Sequence, residues 1–143
     1  MARWTAERLA AELDSWDLPG ALDDANRHSR PMDRVIARMW AYHHDLELRA
    51  HEYAVRKTEY ERLKGAVVLT SRANGERSAE VATMRAEQDD NVYAAHVDYR
   101  SAEQLLTADR EALRILHATL DKMRTEAGDA RAADTFTASH GQG

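Results

Sequence analysis

Apolar residues recur at alternating spacings of three and four over two long stretches, as in helices that pack along one face. Each such set of positions forms a seam. The first seam runs through Met32, Ile36, Met39, His43, Leu46, Ala50, Tyr53, Lys57, Tyr60, Lys64 and Val67. The second runs through Val92, Ala95, Tyr99, Ala102, Leu106, Asp109, Leu113, Leu116, Leu120 and Met123. The two seams predict an all-α fold in which two long helices form an antiparallel, coiled-coil-like hairpin.

The N-terminal region predicts one short helix followed by a linker. Thr5 is a suitable N-cap for a helix from about Ala6 to Trp16. The residues LPG at 18–20 should end it. Residues 21–31 have the composition of a linker, with at most a fragment of helix at its start. Region 1–31 is therefore expected to be a short helix and a linker.

Turn residues bound the predicted hairpin at both ends of its second helix. Asn74-Gly75 tolerates a positive φ and predicts the turn between helices of about 32–71 and 79–126. Gly128 should end the second helix. We therefore expect a hairpin over 32–127, an elbow near 72–78 and a flexible C-terminal tail over 128–143.

Two packed helices leave apolar side chains uncovered, which predicts self-association. Trp40, Val55, Val68, Tyr93 and Val97 lie off the main seams. Self-association is the simplest way to bury them, so a homo-oligomer is expected. The residues expected to hold the hairpin and the oligomer are Ile36, Met39, Leu46, Val92, Tyr99, Leu106, Leu113, Leu116 and Leu120.

Composition favours a non-secreted protein. The chain has 143 residues, no cysteine and a formal net charge of −5. Without cysteine there can be no disulfide framework or thiolate chemistry. The charged N-terminus predicts no signal peptide, and no apolar run predicts a membrane span. We expect a cytoplasmic protein that does not contact membranes.

No pattern predicts catalysis. A phosphate-binding glycine loop, a nucleophile motif and a paired-carboxylate motif are all missing from the sequence. The best metal candidate is His43, Glu47 and His51, spaced by four residues on one helix face. Diiron bundles require more glutamates and a Glu-x-x-His pair on two helices, so His43 is more simply a polar member of the seam and His51 a solvated residue. A non-enzymatic protein without metal or cofactor is expected.

Positive charge is concentrated at residues 56–78, the basic segment. Residues 49–77 hold seven Lys or Arg against four Asp or Glu, whereas the chain as a whole is acidic. Tyr53, Lys57, Tyr60 and Lys64 also share a helix face. Cationic grooves with aromatic platforms hold single-stranded nucleic acid. The predicted DNA-binding residues are Arg56, Lys57, Tyr60, Arg62, Lys64, Arg72 and Arg77. A solvated helix face with internal Glu–Arg pairs is the alternative.

The order of these elements resembles the UvsY-type recombination mediators of tailed phages. The similar stretch covers about residues 40–126. In "YERLKGAVVLTSRANGE", Arg62 and Lys64 stand at alternating basic positions and Gly75 lies in the turn. In "AEQDDNVYAAHVDY", an acidic helix start precedes Tyr99 at the spacing of that family.

The resemblance implies a non-catalytic homo-oligomer that binds single-stranded DNA without sequence preference. Such a protein would help a RecA-like recombinase load onto DNA covered by single-strand-binding protein, in the cytoplasm of a host cell. The alternative is a phage-type coiled-coil scaffold, or an inhibitor of a host complex, that acts through protein–protein contacts.

Overall fold

The computed structural model describes residues 4–141, and this part of the chain is helical with no β-strand. Its five helices are α1 (Ala6–Ser15), α2 (Leu18–Asn26), α3 (Pro31–Ala73), α4 (Ala79–Gln88) and α5 (Asp90–His140). The predicted all-α class is confirmed. Within the same residues, no helix combines the length and hydrophobicity needed to cross a membrane.

The chain divides into two compact units. The first contains α1 and the chain from Asp45 to Ala108. The second contains the chain from Asp17 to His44, which includes α2, and the chain from Asp109 onward. Helices α3 and α5 therefore contribute residues to both units.

In the first unit, α1 docks on α3 of the same chain. The indole N–H of Trp16 donates a hydrogen bond of 2.9 Å to the carboxylate of Asp45, which is buried. At the other end of α1, the ring of Trp4 stacks on His51 with centroids 4.6 Å apart. Leu9 between them is buried. The first helix therefore packs on its own chain, which the sequence left open.

The core of the first unit combines large side chains of α3 and α5 with small ones of α4. Leu48 and Val92 are its largest fully buried side chains. Ala82 and Ala86 on α4 are also fully buried, and such small residues allow neighbouring helices to approach closely. Burial of Ala95, Ala102 and Leu106 continues this core along the predicted α5 seam.

In the second unit, the buried face of α3 differs from the predicted seam. Ile36 is 37% exposed, whereas Val35 is buried. Arg38, three residues further on the same face as Val35, donates hydrogen bonds to Asn26 at the end of α2. Val35 and not Ile36 is therefore the buried position on this part of α3. On α5, Leu113 and Leu120 are buried and Leu116 is half-buried.

Three boundaries differ from the sequence prediction. The predicted linker contains α2, because Asp17 caps it and Pro19 lies in its first turn, where proline is tolerated. The second long helix breaks at Asp89, whose carboxylate accepts hydrogen bonds from the first amides of α5. Helix α5 also continues through Gly128 to His140.

The turn between α3 and α4 follows the predicted chemistry. Gly75 has φ of 101°, a left-handed conformation that glycine adopts without a Cβ penalty. The amide of Gly75 bonds to the carbonyl of Arg72 and the amide of Glu76 to that of Ser71, the two bonds of a Schellman motif. Ser78 then caps α4 through the amide of Val81.

Candidate nucleic-acid interface

The basic segment occupies the last turns of α3 and the turn after it. Five of its cations, Arg56, Lys57, Arg62, Lys64 and Arg72, lie on α3, and Arg77 follows Gly75. All are exposed except Lys64, which is half-buried. Helix α3 therefore displays the cations over about 24 Å of its length, at 1.5 Å per residue.

Three of these cations have carboxylate partners. Arg62 donates two hydrogen bonds to Glu59, of 2.9 and 2.7 Å. The Nζ of Lys64 lies 3.5 Å from the Oε1 of Glu87 on α4. The Nη1 of Arg56 lies 3.9 Å from the Oδ2 of Asp98 on α5. The positive charge of the segment is thus partly balanced within its own unit.

These pairs also shift protonation equilibria. The hydrogen bond from Arg62 lowers the pKa of Glu59, and the same bond raises the pKa of Arg62. Burial opposes the charge of Lys64, but Tyr60 and Glu87 together outweigh that effect and raise its pKa. The three groups therefore remain charged at neutral pH.

Arg72 and Arg77 differ from the other arginines of the segment. Both are exposed, and neither has an acidic partner within residues 4–141. Gly75 lies between them in the turn. Arg72 is in the last turn of α3, and Arg77 follows the turn. Within residues 4–141, Lys57 likewise has no acidic partner, and its Nζ lies 5.8 Å from the ring centroid of Tyr53. These three cations are the ones most available to an anion.

The ring of Tyr60 packs against other aromatic rings. Its ring centroid is 5.0 Å from that of His96 and 5.1 Å from that of Tyr99. Tyr53 also meets Tyr99, at 6.1 Å. Edge-to-face and tilted ring pairs at such distances stabilise packing by about 0.5–1.5 kcal/mol each. Tyr60 therefore holds α3 against α5 in this unit.

Two features near the segment were missed from the sequence. His96 was not assigned a role, and Tyr93 was considered only as an uncovered apolar residue. Tyr93 is 64% exposed and lies beside Glu87 and His96 in the structure. The spacing of Tyr93, His96 and Tyr99 by three residues was the signal that they share one side of α5.

The metal candidate of the sequence does not form a ligand cluster. In the described part of the chain, no group of three or more His, Asp or Glu side chains is placed to hold a metal ion. His51 stacks on Trp4, and His43 contacts the ring of His117 edge-on at 6.0 Å. His51 thus packs against the N-terminal residues, whereas His43 is exposed.

Comparisons with protein-family models, curated proteins and solved structures give no match to this chain. Its function therefore has to be inferred from its own residues.

Proposed function

We propose that this protein is a non-catalytic, homo-oligomeric mediator that binds single-stranded DNA through its basic segment. The observation that carries the proposal is the pair Arg72 and Arg77, exposed on both sides of the Gly75 turn without carboxylate partners in the described chain. Phosphates attract such cations regardless of base sequence. In this role the protein helps a RecA-like recombinase replace single-strand-binding protein on DNA in the cytoplasm.

The existing ion pairs leave the other cations usable. Arg56 and Arg62 are more than half exposed in their pairs with Asp98 and Glu59. Water and salt screen such exposed pairs and make them weak, so a phosphate can compete for the arginine. The same carboxylates nevertheless reduce the local positive field, and one chain alone should bind weakly.

Multivalency compensates for weak binding by one chain. The contacts Tyr53–Tyr99, Tyr60–His96 and Lys64–Glu87 occur in opposite order along the two partner segments, which supports an antiparallel hairpin. Several hairpins in one assembly would bind one strand at several basic segments. Linked sites of this kind raise avidity by about 10²–10⁴. Wrapping of the strand would then loosen single-strand-binding protein and present the DNA to the recombinase.

The test compares DNA binding by two double variants. Fluorescence anisotropy with labelled oligo-dT, over a salt series, would be measured for the wild type, Arg72→Ala/Arg77→Ala and Arg110→Ala/Arg131→Ala. The control arginines are also exposed and without an acidic partner in residues 4–141, so both variants lose the same charge. Arg62→Ala/Lys64→Ala extends the series along α3.

Loss of two phosphate contacts should reduce the slope of log affinity against log salt by about 1.4, at roughly 0.7 per contact for single strands. The control variant should keep the wild-type slope. An equal salt slope for the two variants would contradict a role of the elbow in DNA binding. A folded protein that fails to bind oligo-dT at low salt would refute the proposal.

A second candidate function is a coiled-coil scaffold or an inhibitor of a host complex. The observation that favours it is the exposure of large apolar side chains, led by Trp40 at 73% and Leu69 at 70%. Exposed apolar surface of this kind marks protein interaction sites. Two results would favour this candidate: the oligomeric protein does not bind DNA, and Leu69→Lys or Trp40→Lys prevents its self-association.

A further inference from the structure

A small cavity opens beside the basic segment within the first unit. Its volume is about 240 Å³, and its lining residues are Tyr60, Glu87, Val92, Tyr93 and His96. Pockets for drug-sized ligands have volumes of about 300–1,000 Å³. This cavity is therefore suited to a single ring-sized group.

The cavity walls are mainly aromatic. Val92, 1% exposed, forms a buried apolar part of the lining. Tyr60 and His96 contact each other edge-to-face at 5.0 Å and form a packed wall. Tyr93 has no ring contact among the described residues, and it is 64% exposed at the edge of the cavity.

The electrostatics favour an uncharged ring. The carboxylate of Glu87 pairs with Lys64 at 3.5 Å, and the Nζ of Lys64 lies 5.7 Å from the centroid of Tyr60. A ligand cation would compete with Lys64, and a ligand anion would face Glu87. A neutral planar ring avoids both conflicts, and its N–H groups can donate to the Glu87 carboxylate.

We propose that this cavity binds one nucleobase of a single-stranded nucleic acid, with Tyr93 as its stacking partner. This inference rests on the proposed function, since neighbouring cations of the basic segment would hold the phosphates. Aromatic platforms beside cationic tracks are the usual way to bind single strands without sequence preference. Tyr60, which the sequence suggested as the platform, would instead form the packed wall with His96.

The test separates base contacts from phosphate contacts. Affinity would be measured for labelled oligo-dT and for an abasic phosphodiester strand of the same length. The variants are Tyr93→Ala, Tyr93→Phe and Phe136→Ala. Phe136 is a suitable control because it is 63% exposed but does not line the cavity. Tyr93→Phe keeps the ring and removes only the hydroxyl.

The wild type should prefer oligo-dT over the abasic strand, and Tyr93→Ala should lose about 5- to 150-fold in oligo-dT affinity, the equivalent of one stacked base. Its affinity for the abasic strand and its salt dependence should not change. Tyr93→Phe and Phe136→Ala should behave as the wild type. Equal binding of both strands by the wild type, with no effect of Tyr93→Ala, would overturn this inference and leave phosphate binding intact. Failure to bind either strand would overturn the proposed function as well.

Discussion

Replacing Gly75 by alanine should destabilise the protein, whereas the same replacement at Gly65 or Gly128 should stabilise it. Gly75 has φ of 101° in the turn after α3, but Gly65 and Gly128 lie inside α3 and α5. At all three positions, an added Cβ would meet no atom within 4 Å. The three substitutions therefore differ in backbone conformation and not in packing.

The expected magnitudes follow from that difference. A left-handed conformation costs an L-residue roughly 1–2 kcal/mol. Alanine also restricts the unfolded chain, which offsets about 0.4–1 kcal/mol. The net loss at Gly75 should be about 1 kcal/mol by these two estimates. In a helix interior, alanine is favoured over glycine by roughly 0.5–1 kcal/mol, so Gly65→Ala and Gly128→Ala should gain that amount.

Urea unfolding followed by circular dichroism, at one fixed protein concentration, would measure the three free energies. The concentration must be fixed because self-association would change the apparent stability. A stability of Gly75→Ala equal to or above that of the wild type would contradict the left-handed turn. If Gly128→Ala does not increase the free energy of unfolding, this would contradict a continuous α5 and favour the flexible tail that the sequence predicts.

Three further predictions concern the core, the helix break and one ion pair. Leu48→Ala should cost about 2–5 kcal/mol in urea unfolding, because Leu48 is fully buried; a loss typical of a surface site would contradict that burial. Asp89→Ala should cost about 1 kcal/mol through loss of the α5 cap, and Asp89→Asn should retain most of it. A carboxylate titration by NMR should find the pKa of Glu59 below its ordinary value and higher in Arg62→Ala. Since folding lowers the pKa of Glu59, the pair stabilises the folded protein at pH values above the unfolded-state pKa. This stabilisation is lost as the pH falls through the folded-state pKa. An unchanged pKa of Glu59 in the variant would contradict the ion pair.

Some local features were predictable but were missed because another pattern outweighed them. The α5 seam suggested one continuous helix, although Asp89 and Asp90 are strong capping residues that can interrupt it. Gly128 suggested a helix end, although glycine inside a helix costs only about 1 kcal/mol relative to alanine. Here the helix continues through it to His140.

The candidate site was predictable only in part. The position of the cations along α3, and the turn that separates Arg72 from Arg77, follow from the order of residues alone. The pairing of Arg56 with Asp98 and the packing of Tyr60 on His96 do not. These partners lie far apart in the chain, and no local pattern relates their positions.

The sequence by itself determined the helical class, the Gly75 turn, the Thr5 cap and the buried row of α5. Each depends on neighbouring residues through hydrogen bonds, backbone conformation or helical periodicity. Only the tertiary structure decided that Val35 replaces Ile36 as the buried residue, that Trp16 bonds to Asp45, and that Tyr93 borders a cavity. The reason is that an amphipathic helix specifies which stripe is apolar, whereas the partner that covers the stripe is set by packing between distant segments.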